Sequence, residues 1–172
     1  MTVIVTLRPA NPADIEVIHA VRRDAILGIK SGTSTSPSGR LFTISNFSEM
    51  DRRNWADRRS QEFFIDRVAS GEILVAVCEG NVVGWGSASR DWVTGLYVSP
   101  AVGLRGVGRR IMASLESRIA SEGQASVRLE SSPNAVQFYV RFAYVPLGPP
   151  GSEGAIPMMK VLARAEPREK AG

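Results

Sequence analysis

Cysteine, histidine, lysine and long apolar runs are all scarce in this chain, and each scarcity narrows what it can be. A single cysteine, Cys78, stands among 172 residues, so no internal disulfide can form, which fits a reducing cytoplasm. No histidine lies near it in sequence, so Cys78, at the end of an expected strand, reads as a small packed residue and not as a nucleophile. The one histidine, His19, falls between the apolar positions of an expected helix and is assigned no catalytic role; no metal site is expected. No apolar run approaches the ~20 residues needed to cross a bilayer, and the opening TVIVTLRPA lacks the basic leader and long apolar stretch of a secretion signal. The expectation is a cytoplasmic protein without a membrane partner. Without repeats, and at this length, it reads as one domain over 1–164, followed by a charged tail over 165–172 that is expected to fray.

What is present is ordinary in bulk: 44% hydrophobic and 22% charged residues, as in a globular domain with a real core. The net charge of +4 and pI near 9.7 come almost entirely from arginine. Arginines stand in pairs at Arg22-Arg23, Arg52-Arg53, Arg58-Arg59 and Arg109-Arg110. Such pairs attract polyanions, but solvated helix faces balanced by neighbouring carboxylates explain the first three as well. No nucleic-acid-reading motif accompanies them, so nucleic acid is disfavoured as a partner.

Arg109-Arg110 differs because it follows a glycine-spaced loop. Leu96 to Met112 reads LYVSPAVGLRGVGRRIM: an apolar strand, a turn at Ser99-Pro100, glycines at 103, 106 and 108, then a basic amphipathic helix. Glycines at a helix start gather unpaired backbone N–H groups on one turn, and the helix dipole adds positive charge there. That suits a phosphate or pyrophosphate. The order Gly103-x-x-Gly106-x-Gly108 is neither the dinucleotide G-x-G-x-x-G nor a P-loop, which would end in Gly-Lys-Ser/Thr. A second signature follows, Leu129-Glu130-Ser131-Ser132-Pro133-Asn134-Ala135-Val136-Gln137-Phe138-Tyr139 and on to Ala143-Tyr144.

Together the two stretches resemble the GCN5-related N-acetyltransferase (GNAT) superfamily. Leu96, Val98 and Pro100 match its L-x-V-x-P strand end, Gly106 and Gly108 its acyl-CoA loop, and Ala135 and Tyr139 its A-x-x-x-Y helix. There are departures. Gly103 replaces the usual Gln or Arg at the loop head, with Arg105 two places later, and Ala143-Tyr144 replaces a Gly-Phe pair. The backbone donors of Leu104, Arg105, Gly106, Val107, Gly108 and Arg109 survive the first change.

The rest of the chain reads as an α/β (α+β) GNAT fold: a mixed, mostly antiparallel sheet of about seven strands, splayed at the cofactor site, with about four helices on its faces. Val3 to Leu7 is a first strand. Asn11-Pro12-Ala13-Asp14 starts a helix, with an N-cap, a proline at N1 and an acidic N3, and its apolar face is Ile15, Ile18, Val21, Ala25 and Ile29. Gly28 to Asn46 reads as a polar loop. A helix from Ser48, interrupted near Ser60, runs to Gly71, and Glu79-Gly80-Asn81 turns a hairpin between strands 72–79 and 82–89. Strand 91–98, helix 106–122 ended by Gly123, strand 125–130, a short helix 133–142 and strand 156–162 complete the order.

The resemblance implies acyl transfer from acetyl-CoA to a primary amine, on a small molecule or a protein, by direct attack in a ternary complex. It implies that the pantetheine arm lies along Leu96, Tyr97 and Val98, where strands diverge, with Ser132 or Asn134 reaching it. A backbone N–H there would polarise the thioester carbonyl, an effect usually worth about 2.7–4 kcal/mol. Tyr139 is the candidate acid for the departing thiolate, because a phenol of pKa about 10 stays protonated at neutral pH. Asp91 and Glu130 are candidate bases for the ammonium. The acceptor would sit on the first two helices and their connection, over 21–59, where Phe42, Phe47, Trp55, Asp51 and Asp57 carry no legible code; an acidic lining there would favour a cationic amine. A homodimer is allowed. The alternative is a non-catalytic acyl-CoA-binding module of the same fold.

Overall fold

Alternation of apolar residues and turn chemistry lay down a sheet whose middle strands carry helices on both sides. The computed structural model describes residues 4–28, 33–35, 41–43, 48–102, 106–151 and 154–163, with backbone alone at 33–35, 41–43, 51 and 102. Strand β1 (Val5–Pro9) leads through a 3-10 turn at Pro12–Asp14 into helix α1 (Ile15–Leu27). The short strands β2 (Thr33–Thr35) and β3 (Leu41–Thr43) pair with each other. Helices α2 (Glu49–Asp57) and α3 (Glu62–Ala69) follow, then β4 (Ile73–Cys78), β5 (Asn81–Ser89) and β6 (Trp92–Val98). Helix α4 (Val107–Ser121), β7 (Ser126–Ser131), α5 (Val136–Val140), β8 (Val145–Pro146) and β9 (Ile156–Val161) close the chain.

The main sheet has the order β1-β4-β5-β6-β7-β9-β8. Every pair in it is antiparallel except β6–β7. Val107, Ile111, Leu115 and Ile119 of α4, at steps of four, pack on one face with Val127, Leu129, Tyr139 and Tyr144. Ile18 and Val21 of α1 and Phe64 and Val68 of α3 cover the other face over Ile73, Val75 and Trp85.

The expected elements are found with ends moved by one to three residues. The Asn11 cap is a full capping box, with Asn11 Oδ1 accepting from the Ala13 N–H and Asp14 Oδ2 from the Asn11 N–H at 2.8 Å. Asp14 is also held by Arg8 at 2.7 and 2.8 Å, which ties β1 to the helix entrance. The first strand runs over Val5–Pro9, with a register from Val5↔Cys78 to Pro9↔Leu74, and Val3 lies outside the described residues. Glu79 (φ 49) and Gly80 (φ 81) turn the β4–β5 hairpin. One expectation needs correction: the segment 28–46 contains the β2–β3 pair and is not all loop. The expected interruption near Ser60 is the break at 58–61 that separates α2 from α3, giving five α-helices among the described residues. The apolar stripe of α1 also shifts: Ile26 is buried and Ala25 only partly so, while Ile29 and the tail 165–172 lie outside the described residues.

Candidate active site

The site begins at a seam that closes at one end only. β6 pairs with β5 along its whole length, but with β7 only at Trp92↔Arg128 and Val93↔Leu129. Beyond Val93 the two parallel strands part. The cause is a bulge: Ser87 faces Gly95 and Ala88 faces Val93, so Thr94 is an extra residue in β6. A bulge bends its strand and sharpens the local twist. The Ser87 and Thr94 hydroxyls, 2.6 Å apart, bridge it.

The bulge also decides which peptide groups face the gap. Before it, the Asp91 carbonyl points to β7 and accepts the Arg128 N–H at 2.8 Å. After it, the Ser99 N–H donates to Val83 of β5 at 2.9 Å, and strand alternation then turns Gly95 and Tyr97 toward β5 as well. Leu96 and Val98 are left with their N–H and C=O groups on the open edge. Across the gap, by the same alternation from Arg128, the peptide groups of Glu130 face back. Tyr97 lies in the expected strand, but its own peptide groups serve β5, and its ring stacks on Trp85 at 4.9 Å.

At the far end of β6 the chain passes Pro100 and enters α4. Gly103, Leu104 and Arg105 lie outside the described residues. Gly106 caps the helix in a left-handed conformation, φ 94, that a side chain would strain. Gly108 is needed for another reason: a Cβ there would stand 3.2 Å from the Phe138 ring, so its absence lets α4 close on α5. The first helical bond runs from the Arg110 N–H to the Gly106 carbonyl at 3.0 Å. The N–H groups of Val107, Gly108 and Arg109 therefore have no acceptor among the described residues, at the positive end of a 15-residue helix. The Arg109 guanidinium lies over Phe142 at 5.9 Å.

Helix α5 brings Tyr139 against this gap from the α4 face. It is 7% exposed and packs edge-on to Phe138 and Tyr144. Burial, with the Tyr97 phenol adding to it, raises the Tyr139 hydroxyl well above the ordinary phenol range. Ser132 is half-buried at the turn into α5, whereas Asn134 is exposed. The Tyr144 hydroxyl donates to Glu116 at 2.9 Å. Ala143 before it has φ 66, the left-handed conformation that glycine adopts without strain.

The two candidate bases part company. Glu130 is exposed on the strand bordering the gap. Asp91 is not brought to the site: it accepts Arg128 Nε and Nη2 at 2.7 and 3.1 Å at the closed end of the seam. That is a whole strand length from Val98, roughly 20 Å at about 3.3 Å per residue. Its carboxyl is held below its usual value by the Arg128 hydrogen bonds.

On the opposite face, Arg22 corrects the expectation of a solvated pair. It is 1% exposed and donates to the Ala56 and Trp55 carbonyls at 2.8 Å each, tying α1 to the end of α2. Its guanidinium lies over the Tyr97 ring at 5.8 Å. Arg59 is also turned inward, over Phe63 at 4.2 Å. Asp57 is paired with Arg23 at 3.0 Å. Only the acceptors 33–34 residues away in sequence reveal Arg22, and no local pattern does. The side chains of Phe42, Phe47 and Asp51 lie outside the described residues.

Among the described residues no cluster of His, Cys, Asp and Glu could hold a metal ion, and no helix is long and apolar enough to cross a membrane. A family model described as an acetyltransferase (GNAT) domain matches residues 43–162. A GCN5-related N-acetyltransferase (aminotransferase, class-II) from Rhodopseudomonas palustris superposes with a TM-score of 0.76 at 26% identity, over 94% of this chain and 99% of that one. The PaiA N-acetyltransferase of Thermoplasma acidophilum, solved in complex with coenzyme A, gives 0.70 at 16%, over 92% and 99%. N-acetylglutamate synthase from Neisseria gonorrhoeae, solved with coenzyme A and N-acetyl-glutamate, gives 0.67 at 18%, over 95% of this chain and 36% of that one. No curated protein matches the sequence. A domain model spanning most of the chain, and a structural match along nearly its full length, lead to one conclusion: the chain belongs to the GNAT acetyltransferase family.

Proposed function

We propose that this chain is an N-acetyltransferase that moves the acetyl group of acetyl-CoA to a primary amine, on a small molecule or a protein, with both substrates bound at once. The observation that carries the reading is the end of β6–β7 pairing at Val93, which leaves peptide donors and acceptors of Leu96 and Val98 unpaired at a gap. Unpaired strand edges bind peptide-like amides almost regardless of side chain, and pantetheine is such a chain. The free N–H groups of Val107, Gly108 and Arg109 suit the diphosphate at its other end. The residues present therefore fit coenzyme A.

Acetyl-CoA supplies an activated thioester. An N–H of Leu96 or Val98 polarises its carbonyl, so that the amine nitrogen can attack the carbonyl carbon. A C–N bond forms and the C–S bond breaks. Tyr139, kept protonated by its burial, gives its proton to the sulfur and regains one from the newly acylated nitrogen, directly or through water. The proton of the ammonium leaves through water, with Glu130 as the carboxylate bordering the gap; Asp91 is withdrawn from that role by its ion pair.

The test has two steps. Calorimetry with coenzyme A should give heat of association, and acetyl-CoA should release thiol in the presence of a panel of primary amines. Heat without turnover on any amine would favour the non-catalytic acyl-CoA-binding module. No heat at all would end the acyl-transfer reading.

A further inference from the structure

The Ala143-Tyr144 departure from the Gly-Phe pattern puts a hydroxyl where phenylalanine has none, and that hydroxyl is engaged. Tyr144 is buried, and its phenol donates to Glu116 Oε1 at 2.9 Å. The other carboxylate oxygen, Oε2, accepts Lys160 Nζ at 2.7 Å. The same ammonium lies over the Tyr144 ring, 5.7 Å from its centroid. The ion pair is well covered, with side-chain exposures of 15% for Glu116 and 23% for Lys160, so water screens it little. A hydrogen bond from a buried hydroxyl to a charged carboxylate is short and directional. Two elements, α4 and β9, thus fix both the place and the rotation of the Tyr144 ring.

What Tyr144 holds in turn is Tyr139. Helix α5 ends in a Schellman motif around the left-handed Ala143: the Tyr144 N–H donates to the Tyr139 carbonyl at 3.2 Å, and the Ala143 N–H to the Val140 carbonyl at 3.1 Å. That motif folds the residue beyond the turn back against the helix, and the Tyr144 and Tyr139 rings meet edge-on with centroids 5.7 Å apart. No described residue hydrogen-bonds the Tyr139 hydroxyl, so ring packing sets its direction, from Phe138 and from Tyr144. Glu116 belongs to α4, the helix whose N–H groups at 107–109 suit the diphosphate. The anchor therefore places the Tyr139 phenol relative to the body that grips the other end of the cofactor.

We propose that Tyr144, held by Glu116 and Lys160, is a positioning residue that aims the Tyr139 phenol at the departing sulfur. This rests on the acetyl-transfer reading with Tyr139 as its acid. Tyr144 keeps its own proton; the one that moves passes from Tyr139 to the sulfur and is replaced from the acylated nitrogen. Proton transfer needs a narrow range of distance and angle, and misplacing a reacting group by ~1 Å can cost roughly 100-fold in rate. Without its hydroxyl the Tyr144 ring stays but is free to rock, and Tyr139 rocks with it. The loss falls on the chemical step and not on cofactor binding, which the strand edge and helix start perform.

The test is a double-mutant cycle on kcat, using the best amine of the panel, with coenzyme A affinity by calorimetry as the control. Tyr144→Phe should lower kcat by roughly 10-fold and leave the affinity unchanged. In a Tyr139→Phe background the same change should cost nothing further, whereas a merely destabilising loss would act equally in both. Glu116→Ala should resemble Tyr144→Phe, and Glu116→Gln, which keeps an acceptor for the hydroxyl, should recover most of the rate. A second readout needs no turnover. The chain has three tyrosines, so ring-labelled tyrosine resolves each by NMR, and flipping of the Tyr139 ring should quicken in Tyr144→Phe and Glu116→Ala. An unchanged kcat in Tyr144→Phe while Tyr139→Phe is impaired, losses that add in the double variant, or an unaltered Tyr139 ring would overturn the proposal and leave acetyl transfer standing. Full activity of Tyr139→Phe would instead bring down the acid assignment, and failure of coenzyme A to bind the transfer reading itself, each taking this proposal with it.

Discussion

The two faces of the central sheet are built by different means. On the α4 face the candidate site is made of backbone: the open edges of Leu96 and Val98, a left-handed Gly106 and helix N–H groups at 107–109. On the α1–α3 face the polar contacts are made by side chains brought from separate elements, Arg22 on α1, Arg59 between α2 and α3, and Tyr97 on β6. Backbone groups are the same whatever side chains flank them, so an arrangement made of them tolerates sequence change. An arrangement of side chains does not, since the tie between α1 and α2 is the Arg22 guanidinium itself.

The largest expected effect probes where the two faces meet. Tyr139→Phe keeps the buried ring and removes only the proton donor, so kcat should fall by roughly 100-fold or more, with coenzyme A affinity unchanged in calorimetry. An unchanged kcat would make Tyr139 a core residue only. Arg22→Met tests the other face. It leaves the Trp55 and Ala56 carbonyls without donors and should cost about 2 kcal/mol in denaturant unfolding.

Smaller effects test the backbone devices. Gly106→Ala meets no atom within 4 Å, so its cost should be that of the left-handed backbone alone, about 1 kcal/mol. Ala143→Gly should do the reverse and stabilise by about 0.5–1 kcal/mol, since Ala143 already holds φ 66. Both are read from unfolding midpoints. Asp91→Asn should be smallest, under about 1 kcal/mol because the ion pair is partly exposed, and without effect on kcat. Its sign with pH follows from a folded carboxyl held below its ordinary value. The folded state then binds fewer protons than the unfolded one. The stabilisation is present above the unfolded value, about 3.9, and is lost as pH falls through the folded one.

What could be read from the chain divides along the same line. Leu96-x-Val98, Gly106, Gly108 and Tyr139 are local signals, because strand ends, helix starts and close approaches are enforced by neighbours in sequence. The Asn11 capping box and the Glu79-Gly80 hairpin were legible for that reason too. The bulge at Thr94 was not: it depends on the β5–β6 register and breaks no pattern in its own strand. Strands β2, β3 and β8, of two or three residues, are too short to show alternation. Arg22 looked like half of a solvated pair because its partners lie on another helix. Asp91 looked well placed beside the strand, but the closed end of the seam and Arg128 claim it.

The measurement that bears most directly on this site is amide hydrogen exchange, residue by residue, with and without saturating coenzyme A. The Leu96 and Val98 amides should exchange quickly in the free protein and slow markedly on binding. Gly95 and Tyr97, already bonded to β5, should change little. Equal behaviour of all four amides, or no change at Leu96 and Val98 once coenzyme A is bound, would contradict the open seam as its binding edge.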